Sequence, residues 1–429
     1  MTLQATAARL SAWQDAGFAR RLWAKDYTLW SPTPQPELAD RLGWLDLPAT
    51  MTGRVDALTE FAHTVKAAGM RHVVLLGMGG SSLAPEVFQR TFGSAPDYPA
   101  LIVADSTHPL SVVNVDAAIA PAATLFLVSS KSGTTTETLS LFRYFWRRVS
   151  EVSSTPGSHF AAITDPDTPL VALARERNFR MVFPAPPDVG GRYSALTVFG
   201  LVPAALIGVD VRRVLDRARR MADACRPDVP AASSPGLQLG AALGEWALAG
   251  RDKVTFFISR SLAALPSWIE QLIAESTGKD GKGIVPVIDE PTGNPDGYGG
   301  DRLFVDIRLA GEGAGNAARV TALQGAGHPV VRIDLDEKAD LGREFFRWEV
   351  AVAAAGAVLG IHPFNQPDVQ LAKDLAQQAM GKSGAGETPR AAEAAGSDQV
   401  RVDDRDALAR ALGAWLATAR PGDYVGLQA

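Results

Sequence analysis

Residues 124–138 read TLFLVSSKSGTTTET, and the way this stretch breaks decides the fold. An apolar run, TLFLV, stops in a patch of hydroxyls: seven of the ten side chains over 129–138 are Ser or Thr, with Lys131 and Gly133 among them. An amphipathic run, LSLFRYFWRRV (139–149), follows. The pattern predicts a buried strand turning into a helix at Thr134. The first N–H groups of a helix lack internal partners and its dipole favours an anion there. Hydroxyls and a lysine at that point suit a bound phosphate. Ser130, Thr134 and Thr135 fit plain helix capping equally well.

A second turn of the same kind tips the reading. HVVLLG (72–77) runs into GMGGSSLAPEVF (77–88), again an apolar strand, small residues and a helix start. It lacks a clean G-x-G-x-x-G, and Ser81 and Ser82 stand where a dinucleotide site needs open backbone. At the carboxyl ends of neighbouring strands, the two turns would face one crevice.

Further strands are predicted at ALIVAD (100–105), HFAAIT (159–164), RMVF (180–183), KVTFFIS (253–259), GIVPVID (283–289), RLFVDIRL (302–309) and HPVVRIDL (328–335), with helical patterns between them. Strands alternating with helices imply an α/β fold of parallel, doubly wound sheets covered by helices. RYSALTVFGLVPAALIGV (192–209) reads as a small-residue helix, and RPDVPAASSPG (226–236) as a domain break. The expected organisation is a helical arm over 1–50, α/β domains over 51–225 and 237–380, and a linker with a short helix over 381–429.

Composition narrows the function. A formal net charge of −5 argues against a nucleic-acid partner, since no basic excess neutralises a phosphate backbone. Cys225 is the only cysteine, so neither an internal disulfide nor a cysteine-rich metal site is available. No apolar run approaches the roughly eighteen residues of a membrane span. The six histidines are scattered and show no metal-ligand spacing. A cytoplasmic protein without a metal is the expectation.

Three further stretches give the two turns a family. DVGGRYSALTVFG (188–200), AESTGKDGKG (274–283) and FNQPDVQLAK (364–373) occur in consistent order with them. Together the five resemble the phosphoglucose isomerase family of sugar-isomerase (SIS) domain proteins. The wording is nearest to the isomerase half of fused transaldolase–phosphoglucose isomerases. The resemblance implies two tandem SIS domains, no cofactor, and a homodimer. It also implies interconversion of glucose 6-phosphate and fructose 6-phosphate through a cis-enediol(ate). Isomerisation of mannose 6-phosphate as well, and a non-catalytic sugar-phosphate-binding regulator, are the alternatives.

Carried over position by position, the resemblance implies that Ser81, Ser130, Lys131, Ser132 and Thr135 hold the substrate phosphate. It makes Glu290, in IDEPTGN (288–294), the proton shuttle. Residue by residue, Glu290 reads as a surface-turn carboxylate beside Asp289. Arg192 would stabilise the enediolate through its permanent charge; without the resemblance a structural ion pair fits it as well. Lys373 would stand near the ring oxygen and Gln366 beside it. The sequence departs from the family pattern in carrying Gln370 for a glutamate and in having no histidine in DLGREFF (340–346) to open the sugar ring. His328 reads as a strand-edge residue and His362 as a turn residue before Pro363.

Overall fold

The computed structural model describes residues 2–291, 293–312, 317–367, 369, 371–372, 375, 378 and 405–418. Among the described residues, nine strands form where the apolar runs place them. β1 (His72–Leu76), β2 (Ala100–Ala104), β3 (Thr124–Ser129), β4 (Phe160–Thr164) and β5 (Met181–Pro184) make one parallel sheet in the order β2-β1-β3-β4-β5. β6 (Lys253–Ile258), β7 (Val285–Val287), β8 (Arg302–Leu309) and β9 (Val330–Leu335) make a second, in the order β7-β6-β8-β9. Every residue of β3 and β4 is buried, as a sheet covered on both faces requires.

Helices α1 (Thr2–Asp15), α2 (Phe18–Trp23), α3 (Leu47–Thr50) and α4 (Val55–Ala67) precede the first sheet. α5 (Leu83–Phe92), α6 (Pro109–Ala118), α7 (Thr136–Ser150) and α8 (Pro169–Glu176) follow β1 to β4 in turn. α9 (Val198–Leu206), α10 (Val211–Ala224) and α11 (Pro235–Leu248) link the two sheets. In the second half come α12 (Leu265–Thr277), α13 (Ala317–Gly325) and α14 (Leu341–Leu359). α14 is buried along most of its length and packs on α10, α11 and α12. One continuous apolar core runs from Trp44 and Phe88 through both sheets to Trp348, and a second covers the other face of the first sheet around Phe126, Phe145 and Phe160.

One local expectation shifts. The helix predicted over 192–209 begins only at Val198, where the Thr197 hydroxyl accepts the Phe199 N–H as its cap; Gly191–Tyr193 instead form a tight 3-10 turn. The Pro/Ala/Ser-rich stretch at 226–236 contains a 3-10 turn, Ala231–Ser233, packed on α1. There the Ala231 N–H donates to Gln14 Oε1 at 2.7 Å. Both sheets belong to one compact unit, residues 1–366; residues 367–429 form another, whose described part includes the helix Arg405–Leu416. Among the described residues no helix is long and apolar enough to cross a membrane, and no cluster of His, Cys, Asp and Glu could hold a metal ion.

Candidate active site

In the first sheet the chain passes from β1 outward to β2 and then returns to the other side of β1 as β3. The carboxyl ends of β1 and β3 are therefore a topological switch point, where open α/β sheets leave a crevice. Both small-residue turns open there. Strand register pairs Leu76 with Val128, which brings Gly77 beside Ser129. A Cβ on Gly77 would lie 3.1 Å from Ser81 Cβ and 3.2 Å from Ser129 Cβ. The two turns thus share a wall.

The turn after β3 is held from within. Ser130 and Thr135 hydroxyls pair at 2.8 Å, Ser132 and Thr134 at 2.9 Å. Thr135 is the N-cap of α7, yet its hydroxyl caps no helix N–H. Gly133 adopts φ +68°, and a Cβ there would sit 2.8 Å from Thr168 Cβ, so this corner needs glycine. Ser132 and Thr134 are exposed, Thr135 half-buried, and Ser81 and Ser130 buried. Lys131 is not a free cation. Its Nζ donates to Asp165 Oδ2 at 2.5 Å and to the Pro187 carbonyl at 3.3 Å, tying the turn to the end of β4 and the segment after β5. Burial pulls the lysine's pKa down despite the carboxylate beside it, with Arg41 adding to the effect.

Across the crevice, Arg192 forms the floor. Its side chain is 2% exposed and makes hydrogen bonds to two segments. Nε donates to Ser276 Oγ at 2.8 Å and Nη1 to Glu275 Oε2 at 3.2 Å, both on the last turn of α12. Nη2 donates to the carbonyls of Pro363 (2.7 Å) and Asn365 (3.0 Å), in the loop after α14. Glu275 also accepts the Gln271 amide at 2.9 Å, one helical turn earlier. That amide lies against Gly79, where a Cβ would fall 2.9 Å from Gln271 Nε2. Gly80 presses on Gly191 so closely that a Cβ would sit 2.4 Å from its carbonyl carbon. The turn after β1, the Gly190–Arg192 turn and the end of α12 therefore meet at one place. The carboxylate found there is Glu275.

Glu290 has a different partner. Its two oxygens accept from both terminal nitrogens of Arg302, at 2.9 and 3.0 Å. Arg302 also donates to Thr255 Oγ1 and lies over the Tyr298 ring. Gln366 is exposed and directly follows Asn365. Lys373 and Gln370 lie outside the described residues. His362 is fixed in one neutral form: Nδ1 accepts the Phe364 and Asn365 N–H groups, leaving Nε2 to donate to the Pro36 carbonyl at 2.9 Å. Burial lowers its pKa, consistent with that state. His328 Nε2 faces the Pro295 carbonyl at 3.1 Å, with its ring edge-on to Phe304.

Sequence reasoning passed over Glu275 and Lys279, although both stand in AESTGKDGKG. Lys279 Nζ donates to the His362 carbonyl at 2.6 Å, next along the chain from the Pro363 carbonyl that Arg192 holds. For Glu275 the signal was helical spacing, since Gln271 and Glu275 stand four residues apart on α12; Lys279 lies past the helix end, and no spacing marks it.

A parallel sheet with hydroxyl-lined turns at its switch point, facing a carboxylate–arginine pair, defines an α/β protein of the sugar-isomerase fold class. The sequence model of phosphoglucose isomerase matches residues 49–298, and the chain belongs to the phosphoglucose isomerase family. It is 30% identical to a glucose-6-phosphate isomerase of Rubrobacter xylanophilus over 81% of this chain and 91% of that one. With a glucose-6-phosphate isomerase of Parabacteroides distasonis it shares 27% identity, over 78% and 86%. Among solved structures, a hypothetical protein of Thermus thermophilus superposes with a TM-score of 0.75 at 25% identity, covering 88% of this chain and 98% of that one. A glucose-6-phosphate isomerase from Chlamydia trachomatis shares the fold, with a TM-score of 0.66 at 19% identity over 93% and 81%.

Proposed function

We propose that this protein interconverts glucose 6-phosphate and fructose 6-phosphate, with Glu275 as the base that carries a proton between carbons 1 and 2. The observation that carries the reading is the Glu275–Arg192 pair, 3.2 Å apart, at the end of α12 beside the glycine turn after β1. The phosphate would lie between the two turns, on Ser81 after β1 and on Ser130, Ser132, Thr135 and the first N–H groups of α7 after β3. Lys131 would reach it only by leaving Asp165, so we assign it chiefly to holding the turn's shape. Anchoring the phosphate fixes the reacting carbons in register, and that loss of freedom lowers the barrier.

Glu275 then removes the proton from carbon 2 of the open-chain aldose. The freed electron pair makes the C1–C2 double bond, and charge moves onto O1. Arg192 is permanently charged, buried and already oriented by Ser276, Pro363 and Asn365, so it stabilises that charge without reorganising. Return of the proton to carbon 1, with the O2 hydroxyl proton passing to O1, gives the ketose. Glu290, neutralised by Arg302 on both oxygens, is better placed to hold its loop than to shuttle a proton. Gln366 and Lys373 remain candidates for positioning the sugar.

The test is conversion of fructose 6-phosphate in a coupled assay, with deuterium entering carbon 2 of the product from heavy water. Binding of sugar phosphate with no turnover would contradict the reading. We further infer a homodimer and a cytoplasmic setting, checked by light scattering and by cell fractionation.

A further inference from the structure

We propose that Arg41, on the segment before α3, is a positioning residue for the phosphate end: it shares the Pro187 carbonyl with Lys131 and frees that lysine from Asp165 when a phosphate dianion enters the crevice. The inference rests on the placement of the phosphate given above. In the resting site Lys131 holds the turn; Arg41 governs what the lysine does once the anion arrives.

Residues 36–43 touch both ends of the site. Beside Arg192, the Pro36 carbonyl accepts from His362 Nε2 at 2.9 Å. Toward the phosphate turn, Leu42 forms an antiparallel bridge with Val189, and the Gly43 N–H donates to the Asp188 carbonyl at 3.0 Å. Between these anchors Leu38 is fully buried. Glu37 holds φ +65°, a left-handed conformation that a glutamate keeps only where its surroundings fix it. Its carboxylate accepts from Arg41 Nη2 at 3.2 Å. The backbone that carries Arg41 is thus pinned on either side of it.

Arg41 Nη1 donates to the Pro187 carbonyl at 2.5 Å, and Lys131 Nζ donates to the same oxygen at 3.3 Å. Two cations therefore converge on one acceptor. Both side chains are half-buried, so water and salt screen their charges only in part. The carboxylates facing them are Asp165 on Lys131, Glu37 on Arg41, and Asp188, which follows Pro187. Arg41 repels the Lys131 ammonium and attracts the Asp165 carboxylate, and both effects loosen the hold of Asp165 on the lysine. Arg41 also keeps a donor on the Pro187 carbonyl, so the lysine can leave without stranding that oxygen. Lys131 stands between Ser130 and Ser132, and its released ammonium can turn to an anion held there. Arg41 stays behind as a cation for Asp165.

Calorimetry of inorganic phosphate binding to the full chain, together with the KM for fructose 6-phosphate, reads this step. Arg41→Lys and Arg41→Gln both keep a side-chain N–H for the Pro187 carbonyl, and only the first keeps the charge. Arg41→Gln should bind phosphate about tenfold more weakly and raise KM about tenfold, with kcat within about threefold of wild type. Arg41→Lys should stay within about threefold in all three quantities. In an Asp165→Asn background Lys131 has no carboxylate to leave, so adding Arg41→Gln should cost less than about threefold in phosphate affinity. Phosphate affinities of Arg41→Gln and Arg41→Lys within twofold of each other overturn the proposal. A tenfold loss that persists in the Asp165→Asn background also overturns it, because Arg41 would then act without Lys131. Phosphate affinities in the expected order, with no conversion of fructose 6-phosphate by wild type, would instead overturn the function proposed above and leave Arg41 in its role.

Discussion

Replacing Arg192 by lysine tests whether the floor of the crevice is built as its hydrogen bonds indicate. Lysine keeps the charge but not the planar fork, and it cannot serve Ser276, Glu275, Pro363 and Asn365 together. Glu275, 27% exposed, can recover water. The Pro363 and Asn365 carbonyls and the Ser276 hydroxyl are the groups at risk. A buried polar group without its partner costs about 1–3 kcal/mol. If the new ammonium rescues one of the three, the variant loses about 2–6 kcal/mol of stability. The loss should appear as a lower urea midpoint at unchanged slope. Losing an oriented cation beside the developing oxyanion should cost about 100- to 1000-fold in kcat. KM should move much less, because the phosphate end is untouched. A variant within about 0.5 kcal/mol of wild type, with kcat within threefold, would refute the argument that these four bonds hold a working guanidinium.

Other outcomes follow from single contacts. Gly80→Ala places a methyl group 2.4 Å from the Gly191 carbonyl, so the two turns must part, costing about 1–3 kcal/mol in thermal unfolding and lowering kcat. Glu349 is fully buried in α14 with neither carboxylate oxygen hydrogen-bonded, and burial raises its pKa well above the usual carboxylate value. The folded state thus keeps a proton that the unfolded chain releases, so this residue's stability contribution is present below the unfolded pKa and lost as pH rises. Glu349→Gln should therefore gain stability over wild type between pH 5 and pH 8 in urea titrations; parallel curves would contradict this. Asp165→Asn leaves Lys131 without its counter-charge: stability should fall by about 1–2 kcal/mol for so partly exposed a pair. Inorganic phosphate should bind more tightly by calorimetry, and weaker binding would mean that the ion pair itself shapes the site.

The sheets were legible because buried strands are written as short runs rich in Val, Leu, Ile and Phe, bounded by Gly, Ser, Pro or Asp. All nine runs became strands for that reason. The phosphate turn was legible because its chemistry is local to a dozen residues. What the sequence hid were partners far along the chain. Lys131 looked free because Asp165 lies 34 residues away, and only the adjacency of β3 and β4 brings them together. Glu275 carried no local mark of a role because its partner Arg192 precedes it by 83 residues. Glu290 drew attention through the family resemblance, while its partner Arg302, 12 residues on, reaches it through a loop whose course no local pattern predicts. The domain break at 226–236 was read from composition, which does not reveal that Ala231 docks on Gln14 of α1.

The most direct measurement compares Glu275→Gln with Glu290→Gln in the same isomerisation assay, with deuterium uptake at carbon 2 as a second readout. Glutamine keeps each side chain's shape and removes the base. Turnover and deuterium uptake should collapse by about 1000-fold or more in the first variant, and stay within about tenfold of wild type in the second. The reverse ranking, or equal losses, would contradict the placement of proton transfer beside Arg192.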